Sequence, residues 1–95
     1  MNGKHILLVL THLFRKRGSP IEIEKAVDYL AFKMRYAAPS QIRRMLTVAL
    51  NNEMITRQDD SIKAEFLFDR QKLSPTMATQ ISRSFNIEDE IDPIN

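Results

Sequence analysis

The chain predicts an α+β domain, three helices followed by a two-stranded hairpin, and two observations carry that expectation. Apolar residues recur at helical spacing in three stretches: Ile6, Val9, Leu10, Leu13 and Phe14; then Ile23, Ala26, Val27, Leu30 and Met34; then Ile42, Met45, Leu46, Ala49 and Leu50. Beyond them the period becomes two, with Ile62, Ala64, Phe66 and Phe68 alternating with Lys63, Glu65 and Leu67, as in a half-buried strand. Helix, turn, helix and hairpin in this order make the layout of a winged helix-turn-helix: a three-helix core with the hairpin as its wing.

The first helix runs over residues 4–17 and stops at Gly18, which can take the left-handed conformation that closes a helix. Arg15, Lys16 and Arg17 suit the negative end of its dipole. Ser19 and Pro20 then open the second helix, with Glu22 three residues after Ser19 as in a capping box. Alternatively Ile21 forms a one-residue strand ahead of that helix. Residues 33–38 are the turn, because Pro39 pushes Ala38 out of the helical region and is well placed to start helix three. Asn51 and Asn52 can end that helix through a left-handed cap. Residues 54–57 read as a strand, 58–61 as a polar turn and 62–68 as the partner strand.

Residues 1–73 therefore form the winged-helix domain, and residues 74–95 a C-terminal extension with an acidic tail. In the extension Met77, Ile81 and Phe85 recur at helical spacing behind Ser74 and Pro75, which predicts a fourth helix over residues 75–85. Tyr29 and Phe32 point away from the second apolar stripe. The fourth helix would cover them, within the chain or across a homodimer, or Tyr29, Phe32, Met77, Ile81 and Phe85 would meet a protein partner; the alternative is a frayed tail.

Composition narrows the function classes. Ninety-five residues, 43% apolar and 27% charged, fit one domain that buries roughly 60 to 65% of its unfolded surface. Without cysteine there is no disulfide framework or thiolate chemistry, which suits a reducing cytoplasm. The apolar run at residues 6–10 is too short for a secretory core or a membrane span. Charge is distributed unevenly: residues 1–57 carry ten Lys/Arg against four Asp/Glu, net +6, whereas the remainder carries four against eight, net −4. A basic front with an acidic tail fits a nucleic-acid module.

The candidate site is the polar side of helix three. Ser40, Arg43, Arg44, Thr47 and Asn51 share it, with Val48 at its edge. A helix entering the major groove needs such residues, because Arg can bridge guanine O6 and N7, Asn pairs with adenine, and an apolar group can touch a thymine methyl. Arg15, Lys16, Lys33, Arg35 and Arg57 stand where chain turns would meet phosphates on either side. Cations at a helix C-terminus are also favourable without any ligand, so Arg15 and Lys16 have a purely structural explanation too. The wing tip carries Asp59 and Asp60, which would repel phosphate, so helix three must dominate any DNA contact.

Some of these residues also carry a resemblance. The run from Phe14 to Gly18, the stretch Ser19 to Leu30, an aromatic ahead of Ala38 and Pro39, the run Ala49 to Arg57 and the closing Phe68 and Asp69 together resemble an archaeal family catalogued as domain of unknown function 2240. The similarity covers roughly residues 7–75. It implies the winged-helix fold and brings no settled activity with it. That family tends to have glycine where this chain has Glu53, so the turn from helix to strand is expected to rely on Asn51 or Asn52.

Enzyme chemistry finds little footing. Two glycines cannot furnish a phosphate-cradling loop, and no cysteine or serine elbow is present. His5 and His12 lie seven apart on one helix flank, too far to chelate one metal unaided, and read as a solvated pair. Glu88, Asp89, Glu90 and Asp92 lack the alternating ligands and glycine of a calcium loop, and read as a flexible acidic tail. The expectation is a non-enzymatic, cytoplasmic module without cofactor or metal. It binds double-stranded DNA in a transcription-related role, or, as the alternative, turns its helix-three face or its wing toward a protein.

Overall fold

The computed structural model describes residues 3–67 and 90–94. Its elements are α1 (Gly3–Arg17), β1 (Ile21–Glu22), α2 (Ile23–Asp28), a π-helical continuation of α2 (Tyr29–Lys33), α3 (Pro39–Asn51), β2 (Ile55–Gln58) and β3 (Ser61–Ala64). The architecture is α+β: helices packed against a three-stranded antiparallel sheet in the order β1-β3-β2, an arrangement compatible with a winged helix. The expected fourth helix over residues 75–85, with Met77, Ile81 and Phe85, lies outside the described residues.

The three apolar stripes become the core. Ile6, Val9, Leu10, Leu13 and Phe14 from α1 meet Ile23, Ala26, Val27 and Leu30 and the fully buried Ile42, Met45, Leu46 and Ala49 of α3. Met34 and Leu50, expected in the same stripes, are only partly buried at its margin. Tyr36, which no stripe contained, is 5% exposed. Among the described residues Thr11 is the buried polar side chain of the core, and its hydroxyl donates to the Leu7 carbonyl at 2.7 Å, one turn back along α1. That bond meets the requirement that a buried donor find a partner.

Of the two expectations for residues 19–22, the strand is correct. Ile21 and Glu22 pair antiparallel with Ile62 and Ser61, so no capping box forms, and Glu22 is the N-cap of α2 without a side-chain cap bond. Ser19 instead accepts from the Ala64 amide at 2.9 Å, extending the β1–β3 connection by one side chain. The hairpin is shorter than its alternation suggested. β3 ends at Ala64, while the Glu65 amide still bonds the Met54 carbonyl at 3.0 Å. Its two-residue turn, Asp59 and Asp60, has Asp59 at φ 55, a conformation that Asp tolerates better than most residues. The Ile23 amide donates to the Asp60 carbonyl at 2.7 Å, so the hairpin tip is tied to the start of α2 rather than projecting beyond it.

The helix ends follow the backbone logic with one correction. Gly18, at φ 85, closes α1 by donating its amide to the Phe14 carbonyl at 2.8 Å. At the end of α3 neither Asn51 nor Asn52 is left-handed: Asn51 is helical, Asn52 has φ −98, and Glu53 takes φ 59. The amides of Glu53 and Met54 donate to the carbonyls of Leu50 (3.2 Å) and Ala49 (2.9 Å), which is the Schellman pattern with glutamate in the usual glycine position. A left-handed L-residue costs about 1–2 kcal/mol, whereas glycine costs about 0.5–1 kcal/mol of extra chain entropy. Glu53→Gly is therefore expected to stabilise the fold by about 0.5–1 kcal/mol in urea unfolding. Leu46→Ala is expected to cost about 2–5 kcal/mol, and Ser40→Ala, on the exposed side of the same helix, less than about 0.5 kcal/mol.

Candidate nucleic-acid interface

Because Ile42, Met45, Leu46 and Ala49 are wholly buried, helical periodicity turns Ser40, Arg43, Arg44, Thr47 and Asn51 to the other side of α3. Ser40 and Asn51, at its two ends, are exposed. The middle of the face is occupied. Residues 90–94, expected to belong to a solvated acidic tail, lie along it. The Ile94 amide donates to the Arg43 carbonyl at 3.1 Å, and Arg43 Nη1 donates to the Ile94 carbonyl at 3.2 Å. Arg44 Nε donates to the Ile91 carbonyl at 3.1 Å, and the Thr47 hydroxyl to the Asp92 carbonyl at 2.6 Å. Ile94 is 5% exposed and joins the core cluster, with Ile91 packed at its edge.

Arg43 has a further partner. Its Nη2 lies 2.6 Å from Glu24 Oε1 on α2, with the arginine side chain 22% exposed and the glutamate 72% exposed. An ion pair this accessible to water contributes little to stability, and its main effect is to orient the guanidinium. Sequence reasoning found the three donors, Arg43, Arg44 and Thr47, but neither Glu24 nor the two isoleucines that dock on them. The available signal was a pair of branched aliphatics, Ile91 and Ile94, three apart around Pro93 in an otherwise acidic stretch.

The flanking cations are distributed as their elements dictate. Arg15 and Lys16 are exposed in the last turn of α1, and Lys33 and Arg35 are exposed at the turn before α3, where Arg35 adopts φ 56. Arg57 is exposed on β2, but its Nε donates to the Asp59 carbonyl at 2.8 Å, so it is directed along its own hairpin.

A second surface feature lies on α2 and its π-helical continuation. Arg17, Lys25, Asp28, Tyr29, Phe32 and Lys33 line a shallow depression of about 430 Å³, with Phe32 64% exposed and the Arg17 guanidinium 5.8 Å from the centre of the Tyr29 ring. Phe32 points away from the core as expected. Tyr29 is partly buried against the core and is thereby a packing residue as well.

The two histidines are not the solvated pair that their spacing suggested. His12 is half-buried, with Nδ1 2.8 Å from the Tyr36 hydroxyl and the rings edge-on. Burial, seconded by Tyr29, pushes the Tyr36 phenol up to about 12, so the hydroxyl that shares a hydrogen bond with His12 Nδ1 stays protonated. Burial first, and Lys16 second, hold the His12 imidazole below its ordinary 6.5.

Comparison of the chain with protein-family models, with curated proteins and with solved structures finds no match. The resemblance to the archaeal family rests on the sequence residues alone. Among the described residues no helix is long and apolar enough to cross a membrane.

The His12 environment has a pH consequence whose sign is fixed. The folded state favours neutral imidazole, so the unfolded chain takes up the proton first as pH falls. The His12 contribution to stability is present above about pH 6.5 and is expected to be lost as pH falls below it, levelling off once folded His12 is also protonated. Thermal melts from pH 8 to 5 check this. His12→Gln should flatten the part of the slope that His12 supplies.

Proposed function

We propose that this chain is a winged-helix module, non-enzymatic, that binds double-stranded DNA through α3 in a transcription-related role. The observation that carries the reading is what the α3 face holds now. Arg43, Arg44 and Thr47 project from one side of a helix and donate to carbonyl and carboxylate oxygens. Base edges in the major groove offer the same acceptor chemistry, with guanine O6 and N7 suited to arginine. The helix follows a tight turn with Lys33 and Arg35 at its entry, where phosphates would flank an inserted helix. The acidic hairpin tip, held back against α2, leaves α3 as the reading element.

The same face also supports a second reading. A peptide segment, residues 91–94, is bound there through the backbone carbonyls of Ile91, Asp92 and Ile94, which is how a protein-recognition surface would work.

Fluorescence anisotropy with a labelled random-sequence duplex separates the two. If α3 and the flanking cations meet about four to six phosphates, log affinity should fall against log salt with a slope of about −4 to −5. Arg44→Ala should weaken binding by about tenfold, and Arg57→Ala by less, since its guanidinium is held by the Asp59 carbonyl. No binding by the native chain or by any variant that uncovers α3 would reject the DNA reading in favour of a protein partner.

A further inference from the structure

The segment on α3 is more than a chain end lying against a helix. Its contacts fall on the three residues at the middle of the face assigned to DNA, and each uses a donor those residues would turn toward a base or phosphate. Arg44 gives its Nε to Ile91, Thr47 its hydroxyl to Asp92, and Arg43 an Nη1 hydrogen to Ile94. The segment contributes a buried anchor, Ile94, and a second apolar contact, Ile91, one on each side of Asp92 and Pro93. Pro93 fixes its own φ and biases Asp92 toward an extended conformation, so the segment loses less chain entropy on docking than a flexible peptide would.

Occupancy by this segment and by DNA cannot coexist. An α-helix with its side chains is about 10–12 Å across and the major groove about 12 Å wide, so a helix in the groove leaves no space for another layer of chain beside it. Charge points the same way. Glu90 and Asp92, both exposed, bring negative charge to the surface that phosphates would approach.

We propose that residues 90–94 form a built-in competitor for the α3 face: an Ile-Asp-Pro-Ile peptide, preceded by Glu90, that docks in cis where DNA binds and must leave before the helix can enter a groove. The inference rests on the DNA-binding reading and adds its regulation. Apparent affinity for DNA is the intrinsic affinity reduced by the fraction of molecules in which the segment is undocked. A modification, a partner or a second ligand that captures the segment would raise DNA affinity without touching α3.

The test uses the full chain and the labelled random-sequence duplex at fixed salt. Ile94→Ser removes the buried anchor and should tighten DNA binding by about tenfold or more, given what burying one aliphatic side chain is worth. Adding Arg44→Ala to that variant should reverse the gain. Ile91→Ser, at a partly buried position, should shift affinity in the same direction by less, and it keeps the test available if Ile94→Ser fails to fold. Amide NMR gives a DNA-independent readout: in wild type the Ile94 amide, bonded to the Arg43 carbonyl, should be protected from exchange and lose that protection on adding the duplex. Wild type and folded variants binding the duplex with equal affinity would overturn the competitor while leaving the DNA reading intact. If neither wild type nor the uncovered variants bind, although Arg43, Arg44 and Thr47 amides shift on uncovering, the DNA reading fails and the competitor inference with it.

Discussion

The burial of one side of α3 is the constraint on which the other features depend. Ile42, Met45, Leu46 and Ala49 are wholly removed from water, so the helix cannot rotate about its axis without exposing apolar surface or burying arginine. Arg43 and Arg44, adjacent in sequence to the buried Ile42 and Met45, are thereby held on the outer side with their side chains committed to the surface. Glu24 on α2 and the carbonyls of Ile91, Asp92 and Ile94 then find donors at fixed positions. The β1–β3 pairing serves the same end from the other side of the core, because Ile21 opposite Ile62 and Ile23 bonded to Asp60 fix where α2 begins and hence where the turn into α3 must lie.

How much of this is legible in the sequence depends on whether the information is local. The apolar periods of α1 and α3 specify which side is buried because each period concerns one helix and one core, and Gly18 and Pro39 mark their boundaries for equally local reasons. β1 is different. Two residues carry no period of their own, and Ile21 and Glu22 are a strand only because β3 lies alongside. Tyr36 is similar: it sits in a turn, outside every stripe, and is buried by the chain closing over it and by its bond to His12, twenty-four residues earlier.

The candidate site divides along the same line. The donors of α3 were visible because they share a helix face, a property of spacing alone. What they touch was not, because Ile91 and Ile94 lie some fifty residues away and their segment is dominated by acidic residues that read as solvated. The left-handed residue at Glu53 is a further case. Asn51 and Asn52 have the side chains that favour such a conformation, but the bonds from Glu53 and Met54 back to Leu50 and Ala49 select the position by hydrogen-bond register, and residue preference yields.

The π-helical stretch acts on the chain's geometry through residue count. Over Tyr29–Lys33 the hydrogen bonds reach one residue further than in an α-helix, as when the Met34 amide meets the Tyr29 carbonyl at 2.8 Å. The closing bond widens too, with the Tyr36 amide reaching the Leu30 carbonyl, six residues back, where the usual closure spans five. The wider turn takes up one extra residue within itself, so Lys33, Arg35 and the entry to α3 keep nearly the orientation that a regular helix one residue shorter would give them. In an unbroken α-helix the same extra residue would turn the chain beyond it by about 100°. A change of one residue in length is thus absorbed by a single turn of backbone, without rotating the face that follows.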